Sequence, residues 1–308
     1  MTGLPLEQLR TQFGARLQEN ISLAGYCTAH VGGAALAMLT VGSAEELASS
    51  VQYLWDMNIA FQVLGSGSNV LISDQGVDKL IVHNQAKALR IDDSVESPTV
   101  WAESGANLGT MARQAGLRGL SGLEWASTIP GTVGGAVYGN AGAYGSDTCQ
   151  SLVLAEILHR TLGKVSWNSG QMEYAYRSSI LKRHPGEAVI LSATFSASHG
   201  DREQIQAKMA ELSEKRRRSQ PPGASMGSMF KNPTGDYAGR LIEAAGLKGT
   251  RIGGAQISPV HGNFFVNDGK ATATDIYQLI TLVQKTVHEK FSVDLELEVE
   301  CLGNWQEH

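Results

Sequence analysis

Two glycine-rich stretches hold the residues whose types and spacing point most directly to chemistry. The first is Leu64-Gly65-Ser66-Gly67-Ser68-Asn69-Val70, at the end of the short apolar run Phe61–Leu64. Its glycines let backbone N–H groups approach a ligand without interference from Cβ. Successive N–H groups in such a turn make a concavity suited to an anion such as a pyrophosphate. No Gly-Lys-Ser/Thr follows, and Val70-Leu71-Ile72-Ser73 continues as a strand rather than opening a helix. Neither of the two common nucleotide-loop patterns therefore fits. A glycine-rich hairpin turn would account for the motif equally well.

The second stretch reads Ile129-Pro130-Gly131-Thr132-Val133-Gly134-Gly135-Ala136, then Gly139-Asn140-Ala141-Gly142-Ala143-Tyr144-Gly145. Six glycines within residues 131–145 predict an irregular backbone that is neither a stable helix nor an ordinary strand. It serves either as a second backbone wall against a flat or phosphorylated cofactor, or as a loop packed under another element.

The whole-chain totals exclude several classes. Glycine makes up 35 of 308 residues with only 8 prolines and no collagen-like period, which excludes fibrous and disordered chains. A net charge of −5 argues against a nucleic-acid partner. The three cysteines, Cys27, Cys149 and Cys301, are far apart without a C-x-x-C pair, so no disulfide framework is expected. Eight histidines without an H-x-x-x-H pair give no metal site. Met1–Arg10 lacks a basic-then-apolar leader and no 18-residue apolar run occurs. These patterns predict a cytoplasmic chain with no membrane partner.

The elements that must position the two stretches follow from periodicity. Ser43 and Glu46 form a capping box ahead of a helix whose stripe is Leu47, Val51, Leu54 and Trp55. Strands are expected at 61–64, 70–73 and 79–83, a hairpin-like segment at 90–103, a helix at 107–115 and strands at 152–160 and 188–195. Asp201 and Gln204 cap a helix bearing Ile205, Met209 and Leu212, which ends in the cationic run Lys215–Arg218 before Gln220-Pro221-Pro222-Gly223. A domain boundary is placed near residue 200. Beyond it come a short helix at 238–245, β segments across 253–266 and a long helix with the stripe Ile276, Leu279, Ile280, Val283 and Val287. A last strand at 293–302 should carry Leu295, Leu297, Val299 and Cys301 on one face and Glu296, Glu298 and Glu300 on the other.

The paired glycine motifs resemble the FAD-binding part of the UDP-N-acetylenolpyruvoylglucosamine reductase family, also called UDP-N-acetylmuramate dehydrogenases. The likeness continues collinearly through Tyr176-Arg177-Ser178-Ser179-Ile180-Leu181-Lys182, Gly227-Ser228-Met229-Phe230-Lys231-Asn232-Pro233, Ala245–Gly249, Arg251–Ser258 and Leu297–Val299. It implies an α+β chain: a two-lobed FAD-binding domain of the vanillyl-alcohol-oxidase type over 1–200 (lobes about 1–64 and 65–200), then an α+β substrate domain over 201–308. It also implies FAD as cofactor and NADPH as reductant. FAD contacts are carried over to Leu64, Gly65, Ser66, Gly67, Ser68, Asn69, Val70, Ile129, Pro130, Gly131, Thr132, Gly134, Gly135, Asn140, Gly142 and Ala143.

The implied reaction reduces an enolpyruvyl ether on a UDP-sugar to a lactyl ether, with hydride from flavin N5 to C3 and a proton to C2. By resemblance Ser228 is the general acid, Arg177 stabilises charge on the substrate carboxylate, and Glu298 supports the enolate-like intermediate. Tyr176, Lys231, Asn232, His261 and Asn263 are expected to touch substrate. Read without the resemblance, Ser228 is a turn hydroxyl, Arg177 a surface arginine and Glu298 one of three glutamates on a solvated edge.

The chain departs from the family pattern at His30, where an arginine commonly precedes the Gly32-Gly33 pair, and at Glu300, where a basic residue is common. No added segment supplies a tyrosine-bearing lid, so the likeness is to the shorter subtype, expected as a monomer. Two other functions stay open at this level: an FAD-dependent oxidase of alcohols or sugars, and a non-catalytic nucleotide-binding module.

Overall fold

Ser43 opens the helix Ala44–Asp56 by accepting the N–H of Glu46 at 3.1 Å, in a computed structural model that describes residues 4–305. Met1–Gly3, part of the segment read for a leader, lie outside the described residues, as do the last three. The return half of the expected box is replaced: Glu46 Oε2 accepts from Gly42 N–H instead. Leu47, Val51, Leu54 and Trp55 are all buried, as their spacing requires. Among the described residues no helix is long and apolar enough to cross a membrane.

The chain forms two compact units, and neither is one continuous stretch. One gathers the N-terminal segment through Met38, Ser66–Leu80 and everything from Arg216; the other holds Leu39–Gly65 and Ile81–Lys215. This grouping differs from consecutive domains meeting near residue 200. Bonds between segments distant in sequence are the reason. Glu300–Leu302 lies parallel to Val70–Ile72, and Asn267 donates its side-chain N–H to the carbonyl of Ala29 at 2.8 Å.

The second unit is organised by a five-stranded antiparallel sheet. Its order is Gly163–Trp167, Leu152–His159, Ala188–Ser196, Thr99–Glu103 and Leu89–Asp92. Helices Leu108–Leu117 and Val133–Gly139 supply Met111, Ala112, Val133 and Val137 to the core formed with Val100, Ile157, Ala193 and Phe195 of the sheet. Buried Glu103 caps the Ala44–Asp56 helix, accepting from Ala44 N–H at 2.8 Å and Ala88 N–H at 2.7 Å. Arg216, Arg217 and Arg218 of the cationic run fall in the last turn of the helix Arg202–Ser219, and at its start Gln204 N–H meets Asp201 at 2.8 Å as expected.

In the first unit, Arg251–Ile252, Ala255–Ile257 and Phe265–Asn267 form an antiparallel sheet. The helix Ala273–Phe291 buries Ile276, Leu279, Ile280, Val283 and Val287, its expected stripe. The last strand is much shorter than its alternation suggested. Only Glu300–Leu302 is a strand, because Leu297 pairs with Phe230 while residues 300–302 turn to a different partner. The bend at Val299 breaks the two-residue period. Leu295 and Val299 stay buried, whereas Cys301 is exposed rather than sharing their face.

A second expectation fails at the glycine-rich segment, where Val133–Gly139 is a helix. Hydroxyl side chains from elsewhere in the chain take up its carbonyl groups. Thr148 Oγ1 donates to Ala136 O at 3.2 Å, Tyr174 Oη to Val137 O at 2.9 Å and Ser179 Oγ to Tyr138 O at 2.6 Å. Burial pushes the Tyr174 hydroxyl pKa up, so it remains a donor. Thr132 caps the N-terminus and Asn140, at φ 47°, ends the helix in the left-handed region. These contacts offset the poor propensity of glycine.

Candidate active site

Gly227, at φ 78°, turns the chain into the half-buried Ser228. The segment from Ser228 to Lys231 then runs between two neighbours. On one side Ser228 pairs with Phe264, and Met229 N–H donates to Asn263 O at 2.8 Å. On the other, Phe230 pairs with Leu297, Lys231 N–H donates to Glu296 O at 2.9 Å, and Met229 O accepts from Glu298 N–H at 2.9 Å. Met229 O also accepts from Val299 N–H at 3.5 Å, so two residues on that side oppose one. Ser228 and Glu298 thus leave adjacent backbone segments within about one residue of register, roughly 5 Å apart in the pairing direction. Asn69 holds Glu298 from behind through Nδ2–H to Glu298 O at 2.9 Å.

The expected substrate contacts in this unit all have partners of their own. Lys231 Nζ pairs with Glu296 at 3.0 Å, and Asn232 Oδ1 accepts from Ala238 N–H at the start of the Ala238–Ala244 helix. His261 packs edge-on against Phe264, and its Nδ1 accepts from Asn263 N–H at 3.1 Å. Burial, with the nearby charge of Lys248, lowers the His261 pKa and favours the neutral ring. Asn263 is 3% exposed and binds the backbone of Phe230 through both ends of its amide. His30, the departure from the family pattern, is exposed in the left-handed region at φ 55°.

Arg177 belongs to the other unit. It sits with the exposed Tyr176 at the tip of a tight turn in which Ala175 and Ser178 exchange backbone bonds of 3.0 and 3.1 Å. The turn needs φ 55° at Arg177, an uncommon conformation for a long side chain. Arg177 Nη2 donates to Gly142 O at 2.9 Å, and the guanidinium lies 5.3 Å from the ring of Tyr176. The second glycine cluster thereby carries the arginine. Asn140 braces the same turn: Nδ2 donates to Ala175 O at 3.1 Å, and Oδ1 accepts from Cys149 N–H at 3.0 Å. Nothing local in the sequence signals these links, which join residues about ten to thirty-five positions apart.

The residues expected to contact FAD lie on two glycine-rich segments. Leu64 ends its strand buried, and a Cβ on Gly65 would come within 2.7 Å of Thr132 Oγ1, so the two glycine motifs touch there. Gly67, at φ 60°, passes so close to the Tyr26 carbonyl that a side chain would collide with it. Gly134 N–H is bound to Ser104 O at 2.8 Å, Gly135 is exposed, and Gly142-Ala143 pairs with Ser146-Asp147. Cys27 Sγ contacts the carbonyl of Val70, which begins the next strand. Residues 64–70 and 129–143 contain no acidic side chain. Among the described residues, the N–H groups of Gly65, Ser66 and Gly67 donate to no backbone carbonyl. Successive N–H groups of this kind suit a dinucleotide pyrophosphate.

Comparison with known proteins agrees with this chemistry. Residues 35–165 match the FAD binding domain family, and residues 219–302 match the family described as UDP-N-acetylenolpyruvoylglucosamine reductase, C-terminal domain. Among curated relatives, the UDP-N-acetylenolpyruvoylglucosamine reductase of Rubrobacter xylanophilus is 43% identical over 90% of this chain and 92% of its own. That of Bacillus subtilis is 38% identical over 97% of this chain and 98% of its own. A crystal structure of the Thermus caldophilus reductase superposes with a TM-score of 0.79 at 34% identity, covering 93% of this chain and 99% of that one.

Proposed function

Because the chain belongs to the UDP-N-acetylenolpyruvoylglucosamine reductase family, a family of flavin-dependent oxidoreductases of peptidoglycan precursor synthesis, we propose that it makes UDP-N-acetylmuramate with NADPH as reductant and Ser228 as proton donor. Residues of the two glycine motifs would hold FAD, which when bound and reduced by NADPH would supply the hydride chemistry needed at C3 of the enolpyruvyl group. The remaining steps fall to this chain's own side chains.

Adding hydride at C3 leaves electron density at C2 and on the adjoining carboxylate. Ser228 Oγ gives its proton to C2. A serine hydroxyl is a weak acid, so the transfer requires a strongly basic carbon held close to it. Arg177 stabilises the developing carboxylate charge; its fork is anchored on Gly142 O, and a planar guanidinium matches that geometry. Glu298 shares a proton or hydrogen bond with the enolate-like intermediate. The observation that carries this reading is the pairing of the Ser228 segment with the Glu298 segment through Met229.

Tyr176 at the turn tip and Lys231 and Asn232 beside Ser228 contact the UDP-sugar in this reading. The enzyme works as a cytoplasmic monomer, with no nucleic-acid or membrane partner. Ser228→Ala tests the proton assignment. Flavin reduction by NADPH should persist, while re-oxidation by the enolpyruvyl substrate should slow roughly 10²–10⁴-fold. Stopped-flow flavin absorbance separates the two steps. Equal losses in both would make Ser228 structural, and a wild-type reduced flavin that the substrate cannot re-oxidise would remove the reductase reading.

A further inference from the structure

We propose that Asn263 is a positioning residue for proton transfer, fixing the segment that carries Ser228, which Met229 and Lys231 in turn bond to the segment that carries Glu298. The proposal rests on Ser228 being the acid. Asn263 makes four hydrogen bonds. Its Oδ1 accepts from Phe230 N–H at 2.9 Å, and its Nδ2 donates to Phe230 O at 2.8 Å. Its main-chain O accepts from Met229 N–H at 2.8 Å, and its N–H donates to His261 Nδ1 at 3.1 Å. A side-chain amide is therefore used as a peptide group would be, closing a reciprocal pair with one residue of the neighbouring segment.

Burial makes this pair strongly directional. Phe230 and Asn263 are almost fully buried, and a buried amide or peptide group without its partner costs about 1–3 kcal/mol. Phe230 is fixed further by edge-on packing with Phe265, at 6.1 Å between ring centres. Ser228 is two residues before Phe230, and Met229 between them is bonded to Asn263 on one side and Glu298 on the other. A shift of the Ser228 backbone would thus break bonds to both neighbours. The acid and the glutamate are placed by the fold before substrate arrives. Asn263 acts through this backbone rather than by touching substrate, which differs from the contact expected of it on sequence grounds.

The test combines Asn263→Ala, Ser228→Ala and the double variant in the two half-reactions of the FAD-loaded enzyme. Asn263→Ala should slow flavin re-oxidation by the enolpyruvyl substrate about 10²-fold, the loss typical of a misplaced reacting group. NADPH reduction of the flavin should change by no more than about 2-fold, and Asn263→Ala should add little to Ser228→Ala because no acid remains to be misplaced. Asn263→Asp provides a rescue and carries the test if the alanine variant does not fold. A neutral carboxyl group accepts one hydrogen bond and donates one, as the amide does, whereas the carboxylate repels Phe230 O. Its re-oxidation rate relative to that of the wild-type enzyme at the same pH should therefore recover as pH falls, a ratio that cancels the loss of the His261 bond common to both.

Equal slowing of both half-reactions, an additive loss in the double variant, or no recovery of Asn263→Asp at low pH would overturn the proposal. If Ser228→Ala alone leaves re-oxidation unchanged, the acid assignment falls first.

Discussion

At the scale of single residues, His261 couples the candidate site to pH. Its Nδ1 is the acceptor for Asn263 N–H, so protonating the ring there removes that bond. Burial holds its folded pKa below the ordinary histidine value of about 6.5. The unfolded chain therefore binds a proton that the folded one resists, and stability rises with pH across this interval. The contribution is fully present above about pH 6.5 and is lost as pH falls through the folded value. Thermal melts between pH 5 and 7.5 should show this loss, and His261→Gln should reduce the slope. Some slope should remain from His83, whose pKa burial also lowers. Much of the glycine behaviour was legible because it belongs to the residue itself. Gly67 does adopt positive φ and does pass close to backbone. Its partner, Tyr26 O, was not legible, since nothing in a local motif encodes a contact forty residues away.

Single elements were legible where periodicity and local caps agree. The helices at 44–56 and 273–291 bury the stripes read from their spacing. Thr272 and Asp275 form a reciprocal capping box on the second. That helix has an additional cap with no local signature. Asp74 Oδ1 accepts from Ala273 N–H at 2.9 Å, while Oδ2 accepts from Thr274 N–H at 2.8 Å and Thr274 Oγ1 at 2.7 Å. Asp74→Ala should destabilise the protein by about 1–2 kcal/mol, the upper range for a lost N-terminal cap. Urea unfolding should show a lower midpoint with an unchanged slope. The Val133–Gly139 helix shows the opposite limit. Its composition argues against a helix, but Thr148, Tyr174 and Ser179 satisfy its carbonyl groups. Those donors lie outside any window in which propensity is summed.

For the whole molecule, chain order and structural grouping diverge. The segment matching the reductase C-terminal family, 219–302, ends in a strand whose partner is Val70–Ile72. Ser73 continues that junction, its N–H donating to Leu302 O at 2.9 Å and its hydroxyl to Asn304 O at 2.6 Å. A fragment comprising residues 219–308 should therefore lack the cooperative thermal transition expected of the full chain; circular dichroism melts of both would check this. The sequence alone determined the α+β class, the long amphipathic helices, the two backbone-rich motifs and the family likeness that names Ser228, Arg177 and Glu298. Each depends on residue type, on spacing within a few positions, or on motif order. Tertiary structure alone decided the discontinuous units, the helix in the glycine-rich segment, the early break in the last strand and the clamp of Asn263 on Phe230. Those features arise from hydrogen bonds and burial between distant segments, which override local propensity once the segments meet.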